Sequence, residues 1–160
     1  MIRKTLNLYF LVLLLLINGC GFKPILVGSD YNFTIRVEES IGNTEINSKI
    51  ENKLKKLEGI NRTFNAIINS EEIKNILSKD SKGDPAILEI IINLNYKLTE
   101  NSKVLVNRSV TQRSTYNNIT DKFELSKSEE ILKDNLVENL VSDIINSASN
   151  LILNPMVNDN

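Results

Sequence analysis

Histidine and tryptophan are absent, cysteine occurs once, and proline only three times in 160 residues. Without histidine the commonest general base and metal ligand at neutral pH is missing, and with it the usual nucleophile–base pairs. A single cysteine forms no intrachain disulfide, which in an exported chain leaves the thiol needing another fate. No charge of one sign dominates. Lys and Arg number 19 against 20 Asp and Glu, a net of −1, so there is no electrostatic case for a nucleic-acid partner. Neither a glycine-rich phosphate loop nor metal-ligand spacing is present. Two adjacent acidic pairs, Glu71-Glu72 and Glu129-Glu130, remain. Neighbouring positions on a helix do not face each other, so both pairs read as solvated surface. These gaps argue against an enzyme, and no cofactor, metal or catalytic residue is expected.

What is present begins at the N-terminus. Arg3 and Lys4 form a positive region, and Leu6 to Ile17 is apolar except for Asn7. That length suits a signal-peptide core and falls short of the ~20 residues of a bilayer span. Ile17-Asn18-Gly19-Cys20 follows, which resembles the lipobox of bacterial lipoproteins. The expected cleavage lies between Gly19 and Cys20. Cys20 then becomes the acylated first residue of the mature chain and its anchor to the membrane. Two or more acyl chains hold such an anchor stably, at ~0.8 kcal/mol per buried CH₂. Gly21 in the next position is compatible with sorting to the outer membrane. Removing residues 1–19 leaves 141 residues with 17 cationic against 20 acidic side chains, a net of −3.

Residues 20–29 read as a tether, residues 30–153 as one domain, and 154–160 as a tail. Within the domain, Tyr31, Phe33, Ile35 and Val37 alternate with polar residues, the pattern of a strand with one buried face. Asn43 or Thr44 can cap a helix over about 44–58, whose stripe is Ile46, Ile50, Leu54 and Leu57 and whose stop is Gly59. Residues 62–79 suit a strand, although Ser70 to Leu77 alone also suits a capped helical turn. A strand is favoured because Lys79 to Pro85 is a strong turn signal ahead of Leu88, Ile90, Ile92, Leu94, Tyr96 and Leu98. Glu100-Asn101-Ser102 turns the chain into a further strand, Lys103–Asn117. Its apolar face carries Val104, Val106, Val110 and Tyr116 and is broken by Arg108, Gln112 and Ser114. Ser126-Lys127-Ser128-Glu129 reads as a capping box opening a helix over about 127–152, ended by Asn154-Pro155. The order β-α-β-β-β-α predicts an α+β two-layer sandwich, a four-stranded mixed or antiparallel sheet covered by two helices.

That order, behind the start Cys20-Gly21-Phe22-Lys23-Pro24, resembles the LPS-assembly lipoprotein (LptE) family of the alphaproteobacterial type. The stretch Tyr116 to Ile119 before Phe123-Glu124-Leu125 is similar to that family's exit from its third strand into its last helix. The resemblance implies a lipid-anchored outer-membrane protein that fits inside a large β-barrel translocon, partly plugs it, binds lipopolysaccharide and assists its insertion into the outer leaflet. It supplies no ligand residue. Exposed cations are the chemical candidates for a phosphorylated glycolipid: Lys79 and Lys82 at a hairpin tip, and Lys97, Arg108 and Arg113 on strands. The alternative is an auxiliary lipoprotein of an envelope lipid-transport ABC system, or another lipid-anchored periplasmic binding module.

Overall fold

The computed structural model describes residues 31–57 and 59–153. The leader, the Gly19–Cys20 junction, the 20–29 tether and the 154–160 tail lie outside the described residues. The elements are β1 (Phe33–Gly42), α1 (Thr44–Leu54), β2 (Arg62–Lys79), β3 (Pro85–Glu100), β4 (Lys103–Asn117) and α2 (Lys122–Leu153). The sheet has four strands in the order β1-β2-β3-β4. β1 runs parallel to β2, whereas β2–β3 and β3–β4 are antiparallel. The expected α+β sandwich is the observed fold, and residues 62–79 form a strand.

Alternation along the strands builds one buried face. Phe33 and Ile35 of β1, Phe64, Ala66 and Ile68 of β2, and Ile90 through Leu98 at even positions of β3 are all buried. Ile46, Ile50 and Leu54 of α1 and Leu136, Val137, Leu140, Val141, Ile144, Ile145 and Ala148 of α2 close over them. β4 contributes half-buried Leu105, Val106, Val110 and Tyr116; its face is broken by Arg108, Gln112 and Ser114, and the register shift at Leu98/Thr99 leaves Val104, expected on that face, exposed.

Three boundaries differ from the sequence reading. α1 stops at Leu54 rather than near 58. Its last turn tightens, with Leu57 N–H donating to Leu54 C=O at 3.0 Å, which keeps Leu57 buried as the fourth member of the stripe. Gly59 is therefore not a helix stop. A Cβ there would lie 2.1 Å from the Phe33 nitrogen, so glycine lets this segment cross the start of β1. Second, β1 continues past Val37 to Gly42 through a register shift at Val37/Glu39. The bulge breaks the alternation and hides the strand's second half from the pattern.

The third difference is the start of α2. Asp121, not Ser126, caps it: its carboxylate accepts from Phe123 N–H at 2.9 Å and Glu124 N–H at 3.2 Å. The Asp121 carbonyl accepts the first helical bond, from Leu125 N–H at 3.0 Å. The cap adds a turn of helix without a buried residue, since burial in α2 begins only at Leu136.

Candidate functional site

Of the five cations singled out from sequence, the structure brings only Lys79 and Lys82 together. β2 and β3 extend as a hairpin beyond the end of β1, which stops opposite Ser70. The tip is a hydrogen-bonded turn. Asp80 Oδ1 accepts from Lys82 N–H at 2.8 Å and Asp84 N–H at 2.9 Å. Asp80 N–H donates to Asp84 C=O at 2.8 Å. Gly83 takes φ +90° with nothing near its Cβ position, so the turn stands clear in solvent. Asn118 ties the end of β4 to this tip by donating to Ala86 C=O and Pro85 C=O. Lys122 thus joins Asp80 and Asp84 around a cleft of about 540 Å³.

The same end carries an apolar component that periodicity did not reveal. Ile76, Leu77, Ile87, Ile119 and Phe123 are all exposed, Phe123 at 74%. The available signal was Phe123 itself, a large apolar side chain outside the helical stripe and next to a lysine. The tip is amphiphilic, with apolar side chains fringed by Lys79, Lys82 and Lys122 and balanced by Asp80 and Asp84.

The other three cations lie elsewhere. Lys97 pairs in register with Asn107, and Arg113 with Ile91, so both stand on the sheet face away from the helices. Six residues along the ladder separate them by ~20 Å, too far to share one phosphate. Arg108 is opposite Tyr96 on the helix side and, although half exposed, is engaged with α2. It donates to Ser147 Oγ at 3.1 Å and lies 3.7 Å from Asp143. The Tyr96 hydroxyl donates to Asp143 Oδ2 at 2.7 Å and lies 2.7 Å from Ser147 Oγ. Burial first, and then the Asp143 carboxylate, push the Tyr96 hydroxyl up to about 12. Arg108 is thus part of the clamp holding α2 to β3 and β4.

The helices are joined by ion pairs along their seam. Lys133 meets Glu45 at 3.0 Å, Lys49 meets Asp134 at 2.6 Å, and Lys53 meets Glu138 at 3.8 Å. The hydrogen bond to Asp134 raises Lys49 above its ordinary range. Beyond the apolar core, α2 covers the sheet through Lys74, Glu72, Glu129 and Tyr116 rather than through leucines. The Glu129 hydrogen bond raises Lys74, and burial raises Tyr116. These groups satisfy one another and leave no free reactive centre among them. Among the described residues, no group of three or more acidic side chains is placed to hold a metal ion. No helix among them is long and apolar enough to cross a membrane.

The second face of the sheet is uncovered by any described element. It presents Asn65, Asn69 and Asn75 from β2, Asn93 and Asn95 from β3, and Asn107, Ser109, Thr111 and Thr115 from β4, as the registers require. Cross-strand hydrogen bonds knit some of these together, such as Thr111 to Asn93 at 2.8 Å. The half-buried pair Ile73 and Ile91 lies among them.

No family model matches the chain, and no curated protein matches it. Solved structures do. Rare lipoprotein B from Shewanella oneidensis superposes with a TM-score of 0.57 at 14% identity, over 76% of this chain and 96% of that one. An uncharacterized lipoprotein B from Nitrosomonas europaea gives 0.56 at 16%, over 84% and 94%. A minor lipoprotein from Acinetobacter baumannii gives 0.51 at 12%, over 74% and 92%. At such identities the likeness is one of fold, and this chain has the fold of these lipoproteins.

Proposed function

We propose that the chain is a non-catalytic outer-membrane lipoprotein, anchored through Cys20, that seats in the barrel of a lipopolysaccharide translocon and assists glycolipid insertion. One conjunction carries the reading. The start Cys20-Gly21-Phe22-Lys23-Pro24, which resembles that of the LPS-assembly lipoproteins, precedes a domain with the fold of solved bacterial lipoproteins.

The surface chemistry supports it. Barrel lumens are polar and hydrated, and the open sheet face offers them amides and hydroxyls rather than a contiguous apolar patch. The glycolipid belongs at the hairpin tip, because that ligand is itself amphiphilic. Phosphates would meet Lys79, Lys82 and Lys122, while Phe123 and Ile119 would meet acyl carbons. Lys97, Arg108 and Arg113 drop out of this site.

A mild-detergent pull-down of the full chain tests the partner: an outer-membrane barrel is expected. Recovery of an inner-membrane ABC complex instead would move the protein to the auxiliary-lipoprotein reading. For the ligand, Lys79→Glu/Lys82→Glu should weaken binding to purified lipopolysaccharide about tenfold or more. Arg113→Glu should leave it unchanged.

A further inference from the structure

The edge strand β1 borders a groove that the proposed function does not use. Thr34, Ile35, Arg36 and Val37 form one wall, and Glu51 and Leu54 of α1 with Lys55, Leu57, Gly59 and Ile60 beyond its end form the other, around about 720 Å³. Among the described residues β1 pairs only with β2, so the backbone groups on its outer side face this groove. The proximal end is closed where Thr34 Oγ1 donates to Gly59 C=O at 2.9 Å and accepts from Gly59 N–H at 3.1 Å. The distal end is set by the register shift after Val37. An unpaired strand edge of four residues with a helix for its opposite wall is the geometry that accepts an added strand.

The side chains narrow the occupant. Leu54, Leu57 and Ile60 are apolar, and Ile60 is 99% exposed. A wholly exposed isoleucine beside a strand edge offers a contact for one apolar side chain of a guest. The lining charges are Arg36, Lys55 and Glu51. Lys55 lies 3.6 Å from Glu51, while Arg36 makes no ion pair among the described residues. The unmatched charge is positive. β4, the other edge, is also flanked by a helix, but there Arg108 and Tyr116 reach across to Ser147 and Glu129 of α2.

We propose that this groove captures an extended, acidic segment of a partner protein by strand addition to β1. The guest's backbone pairs with Thr34–Val37, an apolar side chain packs on Ile60, and a carboxylate meets Arg36. The inference stands independently of the barrel and glycolipid reading.

The test uses the full chain in mild detergent and a fluorescent N-acetylated hexapeptide of alternating valine and glutamate. Binding is expected, with slowed amide exchange at Ile35–Val37. Arg36→Glu should weaken it about tenfold, because an exposed attraction is replaced by a repulsion. Ile60→Ser should also weaken it and cannot disturb the core, since Ile60 buries nothing. A valine–lysine hexapeptide should not bind. The proposal is overturned by absence of binding, by indifference to both variants, or by protection on β4 instead of β1. Concentration-dependent protection of β1 without peptide would give the groove to a second copy. Binding only after deletion of residues 21–29 would give it to the chain's own segment. Either result also overturns a partner strand.

Discussion

Replacing Tyr96 by Phe removes one hydroxyl from the clamp between α2 and the sheet and changes little volume. That hydroxyl makes two contacts of 2.7 Å, to Asp143 and Ser147, in a residue only 1% exposed. Each net hydrogen bond is worth about 1 kcal/mol, and a charged acceptor adds to it. Asp143 keeps partial solvent access, and Ser147 keeps Arg108, so neither is stranded. The expected loss at pH 7 is therefore about 1.5–2.5 kcal/mol, a melting temperature lower by roughly 6 °C in a domain of this size. The pH dependence makes the test specific. The folded hydroxyl titrates near 12 against an unfolded value of 10.0. A raised folded value means a contribution fully present below pH 10 and lost as pH rises through 12. Such a rise corresponds to roughly 2–3 kcal/mol, lost by the native chain and not by the variant. Urea unfolding of both proteins at pH 8, 10 and 11 is the assay. Lysine titration is common to both and cancels in the difference. The stability gap should narrow steadily above pH 10. A gap constant from pH 8 to pH 11 refutes the buried, hydrogen-bonded hydroxyl as the source.

Gly42 and Gly83 both have φ near +90°, but a Cβ at Gly42 would lie 2.0 Å from Ser70 O while one at Gly83 meets nothing. Gly83→Ala should cost about 1 kcal/mol, and Gly42→Ala at least about 2 kcal/mol more by thermal unfolding. Asp121→Ala should cost about 1 kcal/mol as a lost cap, while Ser126→Ala, inside the exposed first turns of α2, should be within about 0.5 kcal/mol of neutral. Equal effects at the two positions would put the helix start back at Ser126. Arg62 grips Glu100 through two contacts of 2.6 Å and donates to Leu151 C=O near the end of α2 at 3.1 Å. The pair lowers Glu100 below its ordinary value of 4.5, so its stabilisation is present above that value and fades as pH falls through the lower folded one. Glu100→Gln should therefore destabilise by up to about 1 kcal/mol at pH 7, with the difference shrinking below pH 4 and in high salt.

The fold was legible because its signals are local. Period-2 alternation in β1 and β3, the 3.6-residue stripe Ile46-Ile50-Leu54-Leu57, and the turn at Asp80 to Pro85 each depend on a few neighbouring residues. The misreadings have physical causes too. Gly59 looks like a helix stop, yet its role is to let the chain pass Phe33, a contact across 26 residues that no local pattern encodes. Ser126-to-Glu129 is a valid capping sequence, but Asp121 caps first and the helix simply runs through the later one. The candidate site was half legible. Turn chemistry exposed Lys79 and Lys82, but Lys122 and Phe123 reach the same place only because Asn118 bonds to Pro85 and Ala86.

By itself the sequence determined the order of elements and the buried faces of β3 and of the first half of β1, since these follow from periodicity and from short linear patterns. Only the tertiary structure decided which cations share a surface. Register placed Lys97 and Arg113 on the open face, set Arg108 on the helix side against Ser147, and gathered Lys79, Lys82 and Lys122 at one tip. It also set β1 at the sheet edge beside α1. Pairing across the sheet, not spacing along the chain, fixes which side chains meet and which backbone groups stay unpaired.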